Sequence, residues 1–399
     1  MVTFSFLKGF TTRIHFPTAR CLSTGPGYKK TFWSKDLKIE SLDKKEMKPK
    51  PTTMSFGQDF TDYMLEVDWT TKKGWGRPVL KKTQEIPLHP AIKGLHYGIQ
   101  LFEGLKAFRG SDNKIRLFRP ELNMERMNRS AARGGMPGFD GEELVNLISE
   151  HIRLEKDWVP KQDGASLYIR PFIFATDPRL GIHATASARL MVLLSPVATY
   201  FSDTSAGLRL LADSRYVRAW TGGVGAFKLG SNYGPTIFVA EVAHKKGCHQ
   251  VLWLSGEEKL VTEVGAMNFG MIWTNEQGEK ELITPALHKG LVLPGVTRQS
   301  VVELTRSWGE FKVSEKDFTL DQMVTGMRDG RVHELFGCGT AAVVVPVTGI
   351  VTVDEKGQEE SHNTPSIDPE KSIVARIYRE ITDIQYGRKE MEDWTRVIA

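Results

Sequence analysis

From about Phe56 onward the hydrophobic positions alternate between two periods, short apolar runs and longer stretches with a spacing of three to four. The runs at 167–174, 190–197, 208–212, 251–254 and 341–347 predict strands. The stretches at 121–133, 142–158 and 372–385 predict helices. The last of these places Ile373, Ile377, Ile381 and Ile384 on one face. Strands and helices intermingle, with no internal repeat and no low-complexity tract, so the pattern is that of an α/β protein.

A chain of 399 residues exceeds the roughly 250–300 at which a single core stops growing, so two domains are expected. The small polar stretch from Tyr200 to Gly207 breaks two strand-like runs and is where the chain is expected to divide. This gives a smaller N-terminal α/β domain over 25–199, a linker over 200–207 and a larger C-terminal α/β domain over 208–399. The segment 353–368, rich in Glu, Gln, Asn, Ser and Pro, reads as an exposed loop.

Composition, 40% hydrophobic and 25% charged, is that of a globular protein, and no apolar run approaches the ~20 residues of a membrane span. The formal charge of +5 raises the question of nucleic acid. Its distribution argues against that. Lys8, Arg13, Arg20, Lys29, Lys30 and Lys35 precede the first acid, Asp36, and the remainder carries 47 basic against 48 acidic residues. The leader is rich in Ser and Thr, and Phe6, Phe10 and Ile14 would stack on one helical face opposite Arg13. Residues 1–24 are therefore expected to be a mitochondrial presequence, removed near 20–24, and the mature protein is expected in the matrix. Lys8, Gly9 and the run from Thr11 to Arg13 interrupt the apolar core a secretory signal would need.

Three cysteines, Cys21, Cys248 and Cys338, make no disulfide framework, which fits a reducing compartment. The histidines show no metal-ligand spacing. His333-Glu334 is followed by Leu-Phe-Gly and lacks the second histidine of a zinc-protease helix, so no metal is expected.

The densest chemical signal is AWTGGVGAFKLGSNYGP over 219–235, which places Lys228 in an apolar, glycine-rich, acid-free segment. Glycines there let the backbone approach a bulky bound group. A phosphate loop would need Gly-Lys-Ser/Thr, whereas Lys228 lies between Phe227 and Leu229. Gly337-Cys-Gly-Thr-Ala-Ala342 satisfies a loose dinucleotide fingerprint, but that motif must open a helix and here Val343 to Val345 and Pro346 read as strand. A second anion signal stands on its own. Val296 and Thr297 precede a helix-like run at 298–308, so their N–H groups would lie at a helix N-terminus.

The GGVGxxKLGxNYGP string resembles that of branched-chain amino-acid aminotransferases, mitochondrial form. Supporting stretches are 56–69, LHYGIQLFEGLKAF at 95–108, LFRPELNMER at 117–126, LYIRP at 167–171, LVTEVGAMN at 260–268, LPGVTRQS at 293–300 and LFGCGTA at 335–341. The resemblance runs from about residue 55 to the C-terminus. It implies the two-domain type IV fold of pyridoxal-phosphate aminotransferases (the D-amino-acid aminotransferase-like fold), pyridoxal 5′-phosphate as cofactor, and a homodimer.

Residue roles follow from the same resemblance. Lys228 would be the Schiff-base lysine, suited to that task because an amine forms an exchangeable bond with an aldehyde and can then carry a proton. Glu263 would face the ring nitrogen, whose protonation makes the cofactor an electron sink. Tyr233 would hydrogen-bond the phenolic oxygen. Arg126 and Thr340 would join Val296 and Thr297 around the phosphate. The substrate pocket would be walled by Phe56, Tyr97, Phe102, Tyr168, Tyr200 and Ala341, with Arg170 for the side-chain carboxylate of glutamate. The implied reaction moves the amino group of L-leucine, L-isoleucine or L-valine to 2-oxoglutarate by a ping-pong route. A D-amino-acid aminotransferase or aminodeoxychorismate lyase would share the lysine and the glutamate, but Tyr97, Tyr168 and Arg170 together argue for the branched-chain pocket.

Two features depart from the family. Ala342 and Val345 stand where mammalian mitochondrial relatives have a Cys-x-x-Cys pair, so thiol regulation of that kind is not expected and Cys338 should be a plain buried thiol. Ala266 replaces a threonine, a loss worth about 1 kcal/mol of hydrogen bonding.

Overall fold

The computed structural model describes residues 29–51, 53–198 and 207–399. The presequence expected over 1–24, with Cys21, lies outside them, as do Tyr200 and all of the expected linker except Gly207.

Two sheets dominate. The first runs in the order Lys38–Ile39, Val79–Lys82, Tyr63–Thr70, Ser187–Val197, Ser166–Ala175, Leu105–Arg109, Ile115–Phe118 and Thr395–Val397. Gly74–Trp75 and Gln100–Phe102 pair beside this path. Its spine is the antiparallel ladder from Ser166↔Val197 to Ala175↔Ala188. Strand alternation is visible in the packing. Leu65, Val67 and Trp69 enter the main core, whereas Met64 joins a separate cluster on the other face. Pro120–Arg133 and Gly141–Leu154 cover the main face with Met124, Met127, Ala131, Leu144, Ile148 and Ile152. The final strand, Thr395–Val397, returns from the end of the chain to pair with Ile115–Phe118.

In the second sheet, Leu260–Val264, Gln250–Ser255, Leu208–Asp213, Val343–Val353, Val332–Gly339 and Met267–Thr274 follow one another, and the first pairs with the last to close a barrel. Lys280–Thr284 and Lys312–Glu315 extend it at one side. Leu208, Leu210, Ala212, Phe269, Met271, Val345 and Val347 share its core, while Leu211 faces the opposite way toward the helix Thr236–Lys245. Helices Val296–Trp308 and Ile373–Gln385 pack on a third cluster that also takes in Phe108 and Phe118 of the first sheet. Ser372 caps the last helix through Ala375 N–H, and Ile377, Ile381 and Ile384 are fully buried.

Two expected elements are shorter than their apolar patterns. The helix expected over 142–158 stops at Leu154 and continues as a 3-10 turn, Lys156–Trp158. Tyr63 N–H takes the Glu155 carboxylate at 2.6 Å and the Trp158 indole donates to Asp62, so tertiary partners outweigh continued helix. The strand expected from Ala341 begins at Val343, because 340–342 form the turn of a hairpin in which Gly339 opposes Val343. Val343 itself has φ 61°, a left-handed value rare for a β-branched residue. Among the described residues no helix is long and apolar enough to cross a membrane.

Candidate active site

The strand Gln100–Phe102 belongs to the first sheet, yet Phe102 N–H donates to the Lys228 carbonyl at 3.1 Å and Leu101 bridges Leu229. Ser130 Oγ, on the helix Pro120–Arg133, accepts from Lys228 N–H at 3.0 Å. The glycine-rich segment is thereby clamped where the two sheets meet, and its lysine enters a cavity of about 210 Å³. Phe56, Phe102, Arg126, Tyr168, Arg170, Lys228, Tyr233, Val296, Thr297, Thr340 and Ala341 all line this cavity. A larger cavity of about 370 Å³ lies beside the helix Ile373–Gln385. Among the described residues its wall has no lysine or arginine, and its Glu334 is already committed to Ser372, Ile373 and Val374. Chemistry, not size, selects the smaller one.

Lys228 Nζ lies 3.3 Å from Tyr233 Oη and 4.6 Å from the Phe102 ring centre. Burial, with Arg126 and Arg170 nearby, brings its pKa down to about 8, against the opposing pull of Glu103 and Glu263. Burial pushes the Tyr233 phenol well above its ordinary value, so the hydroxyl is a protonated donor at neutral pH. The Phe102 and Tyr233 rings meet edge to face at 4.8 Å.

The helix Val296–Trp308 starts from Gly295 with no side-chain cap, which leaves its first-turn N–H groups directed at the cavity end where Thr297 and Thr340 stand. A Cβ at Gly295 would fall 1.9 Å from Asn268 Oδ1, so only glycine permits this approach. Arg126 is held by a two-point ion pair with Glu103, Nε to Oε1 at 2.7 Å and NH2 to Oε2 at 2.8 Å, and its NH1 donates to the Pro294 carbonyl. Burial alone would raise Glu103, but Arg126 and Asn123 hold it below the usual carboxylate range. Thr340 Oγ donates to the Gly104 carbonyl at 3.2 Å.

Across the cavity, Arg170 donates to Tyr168 Oη at 3.0 Å and lies over the Phe102 and Tyr168 rings at 4.8 and 5.2 Å. Its Nε is buried without a hydrogen-bond partner among the described residues. The Phe56 and Tyr168 rings are 4.8 Å apart. Gly104 is required here too, since a Cβ would meet Tyr168 Oη at 2.0 Å.

The chain matches the amino-transferase class IV family model over residues 100–350. It is 46% identical over 374 residues to a cytosolic branched-chain-amino-acid aminotransferase of Caenorhabditis elegans, covering 93% of this chain and 90% of the relative. The chain belongs to the class IV aminotransferase family. A mitochondrial branched-chain-amino-acid aminotransferase of Rattus norvegicus is also 46% identical, over 94% of this chain and 93% of its own. Cytosolic and mitochondrial relatives are thus both near. The fold is similar to that of a crystal structure of a branched-chain aminotransferase from Thermoproteus uzoniensis, with TM-score 0.67, 24% identity, and coverage of 84% of this chain and 100% of that one.

Class IV aminotransferases use pyridoxal 5′-phosphate. The site suits that group on three counts: a half-buried amine without an acid within ion-pair distance among the described residues, an uncapped helix N-terminus, and a buried carboxylate. That carboxylate, Glu263, is 4% exposed on the strand Leu260–Val264. It stands behind the cavity wall formed by Asn268 and Leu293, accepting from Leu293 N–H at 2.7 Å and Asn268 Nδ2 at 3.4 Å. Tyr97 lies apart, 37% exposed, with its hydroxyl accepting from Gly181 N–H. Cys338 is 2% exposed on the cavity wall and burial pushes its thiol up to about 12.

Three residues that support this site were not singled out from the sequence. Glu103 sets the orientation of Arg126. Lys106, 7% exposed and brought down to about 8 by burial, donates from Nζ to the Ala341 carbonyl at 2.8 Å. Arg218 reaches Glu263 at 3.4 Å. Glu103 and Lys106 both sit inside the apolar run 95–108, where an isolated charge is itself a signal of buried pairing.

Proposed function

We propose that the protein exchanges amino groups between L-leucine, L-isoleucine or L-valine and 2-oxoglutarate, with Lys228 as the proton-carrying amine. The observation that carries this reading is the position of Lys228: an amine with a pKa near 8, between a phenol donor and an anion-binding helix end, opposite an arginine framed by aromatic rings. Bound pyridoxal 5′-phosphate would supply the electron sink and carry the amino group between the two substrates.

Val296 and Thr297 N–H groups, Thr340 and Arg126 would hold the phosphate, with Glu103 keeping Arg126 fixed as the cation. Tyr233 Oη would donate to the phenolic oxygen. Glu263 would keep a proton on the ring nitrogen. Lys228, once its amine is free, would move a proton between the substrate Cα and the cofactor's C4′ carbon, and near-neutral pKa suits it to both taking and giving. Phe56, Phe102, Tyr168 and Ala341 offer apolar contact to a branched chain, while Arg170 offers an Nε with no partner among the described residues to the glutamate carboxylate. Tyr97 and Tyr200 remain proposed pocket residues on the family resemblance alone.

The same reading includes a division near 200–207 between a smaller and a larger domain, a mitochondrial presequence over 1–24, residence in the matrix, and a homodimer. Exposed Leu95, Leu180 and Ile182, on segments joined by the Tyr97–Gly181 hydrogen bond, support an apolar face for a second copy.

Initial rates with varied L-leucine at several fixed 2-oxoglutarate concentrations are expected to give parallel double-reciprocal lines, as a ping-pong reaction requires. Intersecting lines, or turnover of D-alanine with none of L-leucine, would overturn the proposal.

A further inference from the structure

Arg218 is a buried guanidinium that binds three separate parts of the site at once. Its NH2 donates to the Leu291 carbonyl at 2.5 Å and lies 3.4 Å from Glu263 Oε2, and its NH1 donates to the Gly225 carbonyl at 3.4 Å. Gly225 belongs to the approach to Lys228, and Leu291 to the loop that enters the helix Val296–Trp308. The Arg218 side chain is 4% exposed and that of Glu263 5%, so the charges meet away from bulk water. The close approach of these segments needs a glycine at 225. A Cβ at Gly225 would come within 2.5 Å of Ala219 Cβ and 2.9 Å of the Leu291 carbonyl.

We propose that Arg218 is a positioning residue that holds Glu263 in its ionised form and aims it toward the ring nitrogen of the cofactor, while tying that carboxylate to the lysine segment and the phosphate loop. The inference rests on the reading of Glu263 given above.

A ring-nitrogen partner is useful only as a carboxylate, since a neutral carboxyl would offer a proton rather than stabilise one on the ring. Burial drives Glu263 toward the neutral form, and its pKa is raised on balance. Among the influences that oppose burial, Arg218 is the largest, followed by the Leu293 N–H, Lys228 and Arg126. The charged and titratable groups that feel Glu263 are thus Arg218, Lys228, Arg126, Tyr233 and Cys338. Lys228 cannot supply a steady charge, because it takes up and gives away its proton as the reaction proceeds. Arg126 is already paired with Glu103. Among the described residues that feel Glu263, Arg218 combines permanent charge with direct reach.

The sign of the effect is fixed. Without Arg218 the Glu263 carboxyl holds its proton to higher pH, so the acid limb of the kcat profile moves upward and activity recovers as the solution is made more alkaline. A purely structural role would lower kcat without moving that limb.

The test is a double-mutant cycle on the cofactor-loaded enzyme with Glu263→Gln, Arg218→Gln and the double variant, and with Arg218→Lys as the charge-conserving control. Three readouts are followed across pH: kcat, KM for L-leucine, and the visible absorbance of the bound cofactor. Arg218→Gln is expected to cost at least ~10-fold in kcat near neutrality, the size of a one-unit displacement, to shift the absorbance titration, and to leave KM within ~3-fold. In the Glu263→Gln background the same substitution is expected to cost under ~2-fold, and Arg218→Lys is expected to restore most of the pH profile. Losses that multiply in the double variant, or an unshifted acid limb and absorbance titration in Arg218→Gln, overturn the inference. Should Arg218→Gln fail to fold, Arg218→Lys decides: a profile displaced no more than ~2-fold in kcat supports it, and a loss as large as that of Glu263→Gln overturns it. Full activity in the Glu263→Gln single variant would instead overturn the role of Glu263 itself.

Discussion

Burial, with Arg126 and Arg170, lowers the pKa of Lys228 to about 8, so a much larger fraction of it is free amine near neutral pH than of an exposed lysine. The rate at which cofactor-free enzyme takes up pyridoxal 5′-phosphate is therefore expected to rise through about pH 8 and level off, where an exposed lysine would keep gaining toward 10.5. Stopped-flow absorbance measures this directly. Glu103 sets a second expectation. Glu103→Gln leaves the buried Arg126 without its counter-charge, which is expected to cost about 3–5 kcal/mol in urea unfolding and to weaken cofactor binding. At this scale the sequence was most informative where a residue type has one chemical use. Lys228 in a glycine-rich, acid-free segment could be singled out, and Val296 and Thr297 could be placed at a helix start from the pattern alone. Glu103 and Arg218 could not, because their partners stand 23 and 45 residues away and only the folded chain brings them within reach.

The element scale shows where tertiary contacts overrule periodicity. Apolar spacing carried the expected helix through Trp158, but Glu155 ends it by accepting Tyr63 N–H, next to Asp62 and its Trp158 partner. Burial, reinforced by Asp62, raises the Glu155 carboxyl from 4.5 to about 7. A raised folded-state pKa contributes stability that is complete below the unfolded value and is lost as pH rises through the folded one. Thermal stability is thus expected to decline between about pH 4.5 and 7 from this group, and Glu155→Gln is expected to flatten that part of the Tm profile. A calorimetric series across the range checks both. The hairpin turn at 340–342 was equally hidden. Valines at 343–345 read as continuous strand, yet the left-handed Val343 ends the turn that presents Thr340 and Ala341 to the cavity.

At the scale of the whole molecule, alternating strand-like and helix-like patterns indicated mixed α/β structure, but not that six strands close a barrel. That closure depends on the pairing of Glu263 with Asn268 and Val264 with Met267, a tight turn whose consequence is visible only once the other four strands are in order. Nor could periodicity reveal that Thr395–Val397 crosses back to the first sheet, since three residues carry too little pattern. The site forms where the glycine-rich segment, leaving the second sheet after Asp213, docks on the first: Phe102 N–H holds the Lys228 carbonyl. Light scattering is expected to give twice the chain mass, with Ile182→Asp shifting the enzyme toward single chains; a monomer at high concentration would refute the proposed dimer.

The central claim is that Lys228 is the amine that engages the cofactor. Borohydride reduction of the loaded enzyme, followed by proteolysis and peptide mass mapping, tests it most directly. A pyridoxyl group is expected on the peptide that contains Lys228. A label on Lys106 or any other lysine, or no label at all on an enzyme that turns over L-leucine, would contradict it.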